Sequence, residues 1–236
     1  MFSVPNRISC FSSLFNYEEI NLKKLYIIGA GAFGRELESW LDSSIESVFP
    51  EYQLQGFLHS GPNDLDQYPC DHQVVGDWQD FSFGPDDAVL LGIADAKWKR
   101  RIVEKLHGTV LFPTFIHPSV SIGKHTHIGE GTIILLNSIV SCNVSIGNFV
   151  TINVGCHFGH DCTIGDFASI MTYVDSAGWT SLGEDSFIGT HATIIPHTHV
   201  GKEALIGAGS VVVRKVPEGW HVFGNPASRI ILPGQK

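Results

Sequence analysis

Apolar residues recur at every sixth position without a slip of phase at Ile116, Ile122, Ile128, Ile134, Val140, Ile146, Ile152, Phe158, Ile164, Ile170, Ser176, Leu182, Ile188, Ile194, Val200, Ile206 and Val212. Only Phe158 and Ser176 interrupt the aliphatic series. Six matches neither the 3.6-residue period of a helix nor the two-residue period of a strand. Glycine directly follows many of these positions, at Gly123, Gly129, Gly147, Gly159, Gly165, Gly183, Gly189, Gly201 and Gly207. Aliphatic hexads with turn-prone glycines predict a three-sided parallel β-helix, one short strand per face and three hexads per coil. The residue two before the aliphatic position is often small, as at Thr126, Thr132, Ser138, Cys156, Cys162, Ala168, Thr180, Ser186, Ala192, Ala204 and Ser210. Both positions are expected to point into a narrow prism. A sandwich of short strands would not hold one phase for so long.

Upstream the pattern changes to alternating strands and helices. Leu25 to Ile28 reads as a buried strand, Gly29-Ala30-Gly31-Ala32-Phe33-Gly34 as a glycine turn, and Arg35 to Leu41 as a helix. This order is what a GxGxxG match requires before it counts as a phosphate-binding turn at a helix N-terminus. Further strands are predicted at Leu54 to Leu58 and Ala88 to Ile93, and a helix at Trp98 to Leu106. The chain therefore divides into an extension (1–21), a Rossmann-like α/β domain (22–110) and a β-helix with a C-terminal tail (111–236).

A dinucleotide-binding unit carries an acid at the end of its second strand to hold a ribose hydroxyl. Here the strand runs into His59-Ser60, which favours a mononucleotide or nucleotide-sugar ligand over a nicotinamide cofactor. Composition narrows the field further. A formal charge of -9 with only 15 Lys and Arg disfavours a nucleic-acid partner. The basic run Lys97, Lys99, Arg100 and Arg101 reads as the solvated face of a helix. The five cysteines show no CxxC spacing, so neither a disulfide framework nor a zinc site is predicted. No apolar run reaches membrane-spanning length, and a reducing cytoplasm is the expected compartment.

Within the coils three clusters stand out: Asn153 with His157, His160 and Asp161; the Ser176-Ala177-Gly178-Trp179 break; and His197 with His199. His160 with an adjacent carboxylate is a candidate general base, since imidazole titrates nearest neutrality and Asp161 can orient it. With three hexads per coil, residues eighteen apart stack, which places His160 just below Gly178. A glycine there leaves its amide N–H open to a carbonyl oxygen. His125, His127, His197, His199 and His221 lack the partners of a metal site.

The segments LYIIGAGAFGRE, QGFL, GIADAKWKRRIVEKL, FIHPSVSIG, INVGCHFGHDCTIGDF and IGAGSVVVRKVPEGWHVFGNPASRI together resemble the hexapeptide-repeat sugar acyltransferases of the sialic-acid O-acetyltransferase and bacillosamine-pathway N-acetyltransferase type. The resemblance implies a homotrimer of left-handed β-helices that binds acetyl-CoA between neighbouring coils and a nucleotide-activated amino sugar on the N-terminal domain, without a metal. It makes His160 the base, gives Asp161 the task of raising its basicity, and assigns the acetyl oxygen to the Gly178 amide. Asn153, Gly31, Ala32, Phe33 and Ala94 become substrate contacts by the same resemblance, and Thr190 a coenzyme A contact. Ser169 stands where some members place a donor-contacting histidine, and His59-Ser60 where members that recognise uridine often have two acids. Phe33 replaces a frequent histidine and His191 a frequent glycine, while Tyr173 and Trp179 add bulk near the acceptor. The sequence thus points to acetyl-CoA-dependent N-acetylation of a nucleotide-linked amino sugar for surface glycans, by direct attack. O-acetylation of sialic acid or another sugar is the alternative within the fold. A nicotinamide-dependent oxidoreductase or a silent binding module are the alternatives outside it.

Overall fold

The structure, a computed structural model, describes residues 22–62 and 64–230. The expected N-terminal extension, 1–21, lies outside the described residues.

The N-terminal domain is a four-stranded parallel sheet of β1 (Lys23–Ile28), β2 (Tyr52–Leu58), β3 (Val74–Gly76) and β4 (Ala88–Leu91), in the order β3-β2-β1-β4. Helix α1 (Ala32–Asp42) follows the glycine turn and buries Leu37 and Leu41; the one-turn α2 (Ile45–Val48) comes next. Helix α3 (Ala96–Leu106) starts on the Asp95 side chain, which accepts the Trp98 N–H, and it buries Ile102, Val103 and Leu106. The strongest sequence patterns gave β1, β2, β4 and both long helices. Strand β3, only Val-Val-Gly, carries too little pattern to be read from sequence.

From Phe115 every hexad forms a two-residue strand that ends on the aliphatic position. The first face stacks Phe115–Ile116, Ile133–Ile134, Thr151–Ile152, Ser169–Ile170, Phe187–Ile188 and Leu205–Ile206. A second face runs from Ser121–Ile122 to Val211–Val212, and a third from His127–Ile128 to His199–Val200. Between hexads up to Val212 all pairings are parallel and shifted by eighteen residues, as in Ile152 opposite Ile170. From Ile134 onward the inward aliphatic and small residues form one continuous core, whereas Ile122 in the first coil is 42% exposed. Ser176 is fully buried in it, hydrogen-bonded at 2.7 Å to Thr180, which also meets the Cys162 thiol at 3.2 Å. A polar residue in an apolar prism is tolerable once its hydroxyl has a partner.

The corner glycines serve space rather than turning. A Cβ on Gly165 would stand 2.5 Å from Glu184 N of the next coil, and one on Gly159 the same distance from Gly178 N. The left-handed backbone falls instead on the third residue after the aliphatic one, mostly on residues with side chains: φ is 60° at Asp161, 57° at Trp179 and 58° at His191. Such a conformation costs about 1–2 kcal/mol for a residue with a Cβ. Each of these N–H groups recovers a bond to the previous coil, as Asp161 to Cys142 O at 3.1 Å and Trp179 to His160 O at 3.0 Å. Stacked rings add to it, with Phe149 on Phe167 at 5.0 Å and Trp179 on His197 at 4.8 Å.

The two domains share their cores. One side of the sheet packs with Phe115, Ile133 and Leu135 of the β-helix, the other with Phe149 and Phe167. The basic run on α3 is therefore split: Lys97 and Arg101 are exposed, as expected of a solvated face, whereas Lys99 and Arg100 turn onto the β-helix. Lys99 is 1% exposed and points into the corner between third and first faces. Its ammonium donates toward Phe149 O (2.9 Å), Ser169 Oγ (3.0 Å), Ala168 O (3.2 Å) and Thr151 Oγ1 (3.2 Å). Arg100 beside it bonds Asp185 at 2.7 Å and lies over the Phe167 ring. The sequence pattern placed these cations on a helix but could not show that the helix docks through them.

Candidate functional site

His160 sits at the corner between the second and third faces, two residues after the His157–Phe158 strand. Its Nδ1 meets Asp161 Oδ2 at 2.7 Å. Because the carboxylate accepts, Nδ1 carries the proton and Nε2 keeps its lone pair. The bond to His160 holds the Asp161 carboxyl below its usual range, with help from Asn143. Asn143, one coil below, donates to Asp161 Oδ1 at 3.2 Å. The sequence reading missed Asn143, although the eighteen-residue register that joined His160 to Gly178 also joins Asn143 to Asp161.

Gly178 lies directly over the imidazole: an added Cβ would be 2.9 Å from His160 Cε1 and 3.0 Å from Nε2. Its N–H sits at a corner position that the coil ladder does not serve. At two equivalent corners a side chain from the next coil takes it: Asn148 accepts from Glu130 N at 2.9 Å and Asp166 from Asn148 N at 2.7 Å. Above Gly178 the stacked residue is Pro196, which has no acceptor side chain. The Gly178 N–H accordingly has no partner among the described residues. Trp179 closes the corner, edge-on to His160 at 4.3 Å and about half exposed. His160, the Asp161 carboxylate and the open Gly178 amide thus lie together at one corner.

Gly31, Ala32 and Phe33 line a cavity of about 380 Å³ at the carboxyl ends of the strands, together with His59, Ser60, Trp78 and Trp98. Gly29 takes φ 106°, where a side chain would strain the turn. Around Gly31, by contrast, no atom of the described residues beyond its chain neighbours lies within 4 Å of an added Cβ, so its bareness serves the space in front of the helix rather than packing among these residues. The α1 N-terminus has neither a side-chain cap nor an acid in its first turn, and its partial positive charge faces this cavity uncompensated.

The other expected contacts lie apart. Ala94 borders a separate groove of about 730 Å³ between the β4–α3 connection and the first face of the coils. Ser169, at its floor, is 1% exposed, and its hydroxyl donates to Ala94 O at 2.6 Å while accepting from Lys99. Its side chain is thus committed to tying the domains together, and the donor contact expected of it is not available from that hydroxyl. Asn153 and Thr190 stand at the corner between first and second faces, a different corner from His160. Asn153 is 7% exposed, with Oδ1 accepting the Val154 N–H at 2.6 Å. No cluster of three or more metal-ligating side chains occurs among the described residues, and none of their helices is long and apolar enough to cross a membrane. Cys156 and Cys162 are buried in the prism, and burial pushes the Cys156 thiol up to about 11.

The family model described as bacterial transferase hexapeptide (six repeats) matches residues 180–214. A GDP-perosamine N-acetyltransferase of Escherichia coli O157:H7 is 37% identical over 81 residues, which is 34% of this chain and about a third (36%) of that relative's length. Among solved structures, the acetyltransferase domain of PglB from Neisseria gonorrhoeae FA1090 superposes with a TM-score of 0.79 at 26% identity, covering 88% of this chain and all of that one. The same domain has been solved with acetyl coenzyme A, and it superposes with a TM-score of 0.77. PerB from Caulobacter crescentus, in complex with CoA and GDP-perosamine, gives 0.74 at 25% identity, covering 88% of this chain and 97% of PerB. By its repeat and its fold, the chain is similar to these hexapeptide-repeat sugar N-acetyltransferases.

Proposed function

We propose that this protein is an acetyl-CoA-dependent N-acetyltransferase acting on a nucleotide-linked amino sugar, with His160 as general base. The observation that carries the reading is the His160–Asp161 pair, at 2.7 Å, set directly against the open amide of Gly178. The sugar amine attacks the thioester carbonyl carbon and forms the new C–N bond. His160 Nε2 takes the proton the nitrogen loses, and Asp161 stabilises the imidazolium. Negative charge on the carbonyl oxygen falls to the Gly178 N–H. When the C–S bond breaks, His160 returns its proton to the departing thiolate, and free coenzyme A leaves.

The cavity over the glycine turn suits the nucleotide sugar, since it offers an uncapped helix N-terminus to the phosphates. That cavity belongs to a domain docked on the first face and its flanking corners, whereas His160 occupies the corner opposite that face. We infer that the site is shared: in a homotrimer, the His160 corner of one copy meets the sugar held by its neighbour. Thr190 and Asn153, on another corner, would join it from the adjoining copy. A cytoplasmic enzyme of surface-glycan assembly is the setting that fits such a substrate.

Coenzyme A thiol release from acetyl-CoA tests this against UDP-, GDP- and dTDP-linked 4-amino sugars and free sialic acid. Wild type should release thiol with one amino sugar, and His160→Ala should lose about 10²–10⁴-fold of that rate. Release with sialic acid alone would move the protein to O-acetylation. Unchanged turnover in His160→Ala would remove the base from its role.

A further inference from the structure

Nucleotide-binding α/β sheets place a carboxylate at the end of the second strand because ribose hydroxyls there need an acceptor. This chain has His59 and Ser60 at that place. A carboxylate from the next strand is bonded to Ser60 there, although it is not itself among the residues that line the cavity. β3 runs parallel to β2 with Leu58 opposite Gly76, so Asp77, directly after β3, comes alongside the residues that follow β2. Ser60, which lines the cavity over the glycine turn, donates its hydroxyl to Asp77 Oδ1. Gln79 N–H donates to the same oxygen at 2.9 Å, and the Gln79 side chain holds Ser60 Oγ at 3.1 Å. His59 turns the other way, its Nδ1 at 3.5 Å from the Ala30 N–H of the glycine turn.

We infer that Asp77 is the ribose acceptor of the nucleotide-sugar site, so that the substrate carries a ribonucleoside diphosphate and not a deoxythymidine diphosphate. The inference rests on the reading of that cavity given above. Lone pairs decide between the uses of this carboxylate. Each carboxylate oxygen accepts about two hydrogen bonds. Ser60 and Gln79 fill Oδ1, while Oδ2 has no partner among the described residues. Ribose offers two adjacent hydroxyls to one such oxygen, and a 2′-deoxyribose only one. Reading the N1–H and 2-amino edge of guanine would need both oxygens at once, and one is already taken. The Ser60 and Gln79 bonds also hold the Asp77 carboxyl below its usual range, so it stands ready as an acceptor.

Isothermal titration calorimetry with UDP, GDP, their 2′-deoxy counterparts and dTDP tests it on wild type, Asp77→Ala and Asp77→Asn. Wild type should bind a ribonucleotide about tenfold or more tightly than the 2′-deoxy form with the same base, the worth of one hydrogen bond to a charged acceptor. Both variants should bring that ratio within about twofold, and since Asp77 is exposed they should melt like wild type. Equal affinity of wild type for ribo and deoxy forms, or a ratio that survives in Asp77→Ala, would overturn the assignment while leaving the nucleotide-sugar reading intact. Failure of every nucleoside diphosphate to bind would overturn that reading itself.

Discussion

At the scale of single residues, Gly178 does two things at once: it exposes an unpaired N–H and leaves room for the imidazole beneath it. The structure separates the two. In Gly178→Ala the N–H stays, but the methyl would stand 2.9 Å from His160 Cε1, so the ring must swing away. The colliding group is the free end of a side chain rather than backbone, so the coil should fold as before. Thiol release should fall by about tenfold to a hundredfold, the usual result of misplacing a catalytic group by about an ångström. A melting temperature unchanged from wild type with that loss of rate supports the stacked geometry; unchanged rates in Gly178→Ala would show that the imidazole does not use this position. Residue by residue, His160, Asp161 and Gly178 were legible because type and register coincide in the chain. Asn143 was not, since an asparagine at a left-handed corner is unremarkable until the carboxylate above it is known to need a donor.

Among the elements, α3 shows most clearly what sequence withholds. Its helical pattern and its Asp95 cap are local and readable, but the destination of its cations depends on coils fifty and more residues away. Lys99 ends among four oxygens with no carboxylate in contact among the described residues, and burial pushes its ammonium down to about 7. The sign of the consequence follows from proton counting. Above pH 7 the folded lysine gives up its proton while the unfolded one, near 10.5, keeps it. Unfolding then takes up a proton, and the unfolding free energy rises with pH. Burial also raises the Cys70 and Cys156 thiols to about 11, and these pull the other way once unfolded thiols ionise near 9, so the clean window lies below that. Between pH 7.5 and 8.5, denaturant titrations of wild type should gain about 1 kcal/mol of stability relative to Lys99→Met. Parallel pH profiles for the two proteins would mean that Lys99 keeps an ordinary ammonium in its buried place. The hexads present the opposite case. Each strand and each inward pair could be read from the chain, because a β-helix repeats one local rule and every coil meets only its neighbours. The role of the corner glycines could not, since the clash they avoid is with a coil that sequence alone does not draw.

For the whole molecule, the proposed reaction puts its two halves on different sides of one chain. The cavity over the glycine turn, proposed to take the nucleotide sugar, lies in the domain that covers the first face, and His160 projects from the corner that domain leaves free. A shared site makes a prediction that a site within one chain cannot meet. Gly31→Trp should plug the cavity without disturbing the fold, because Gly31 has extended backbone and open space where its Cβ would be. His160→Ala removes the base and leaves the cavity whole. Each variant alone should be inactive. If the protein is the proposed homotrimer, co-expression in equal amounts should give mixed trimers in which an intact cavity from the His160→Ala copy meets an intact His160 from the Gly31→Trp copy. Random assembly into a closed ring gives that pairing at about a quarter of the interfaces, so about a quarter of wild-type thiol release should return. Variants purified apart and mixed only briefly should stay silent if the trimer exchanges slowly, which separates subunit sharing from trace contamination. Co-expressed protein that remains inactive, while sedimenting as a mixed trimer, would place the cavity and the base within the same chain and overturn the shared site.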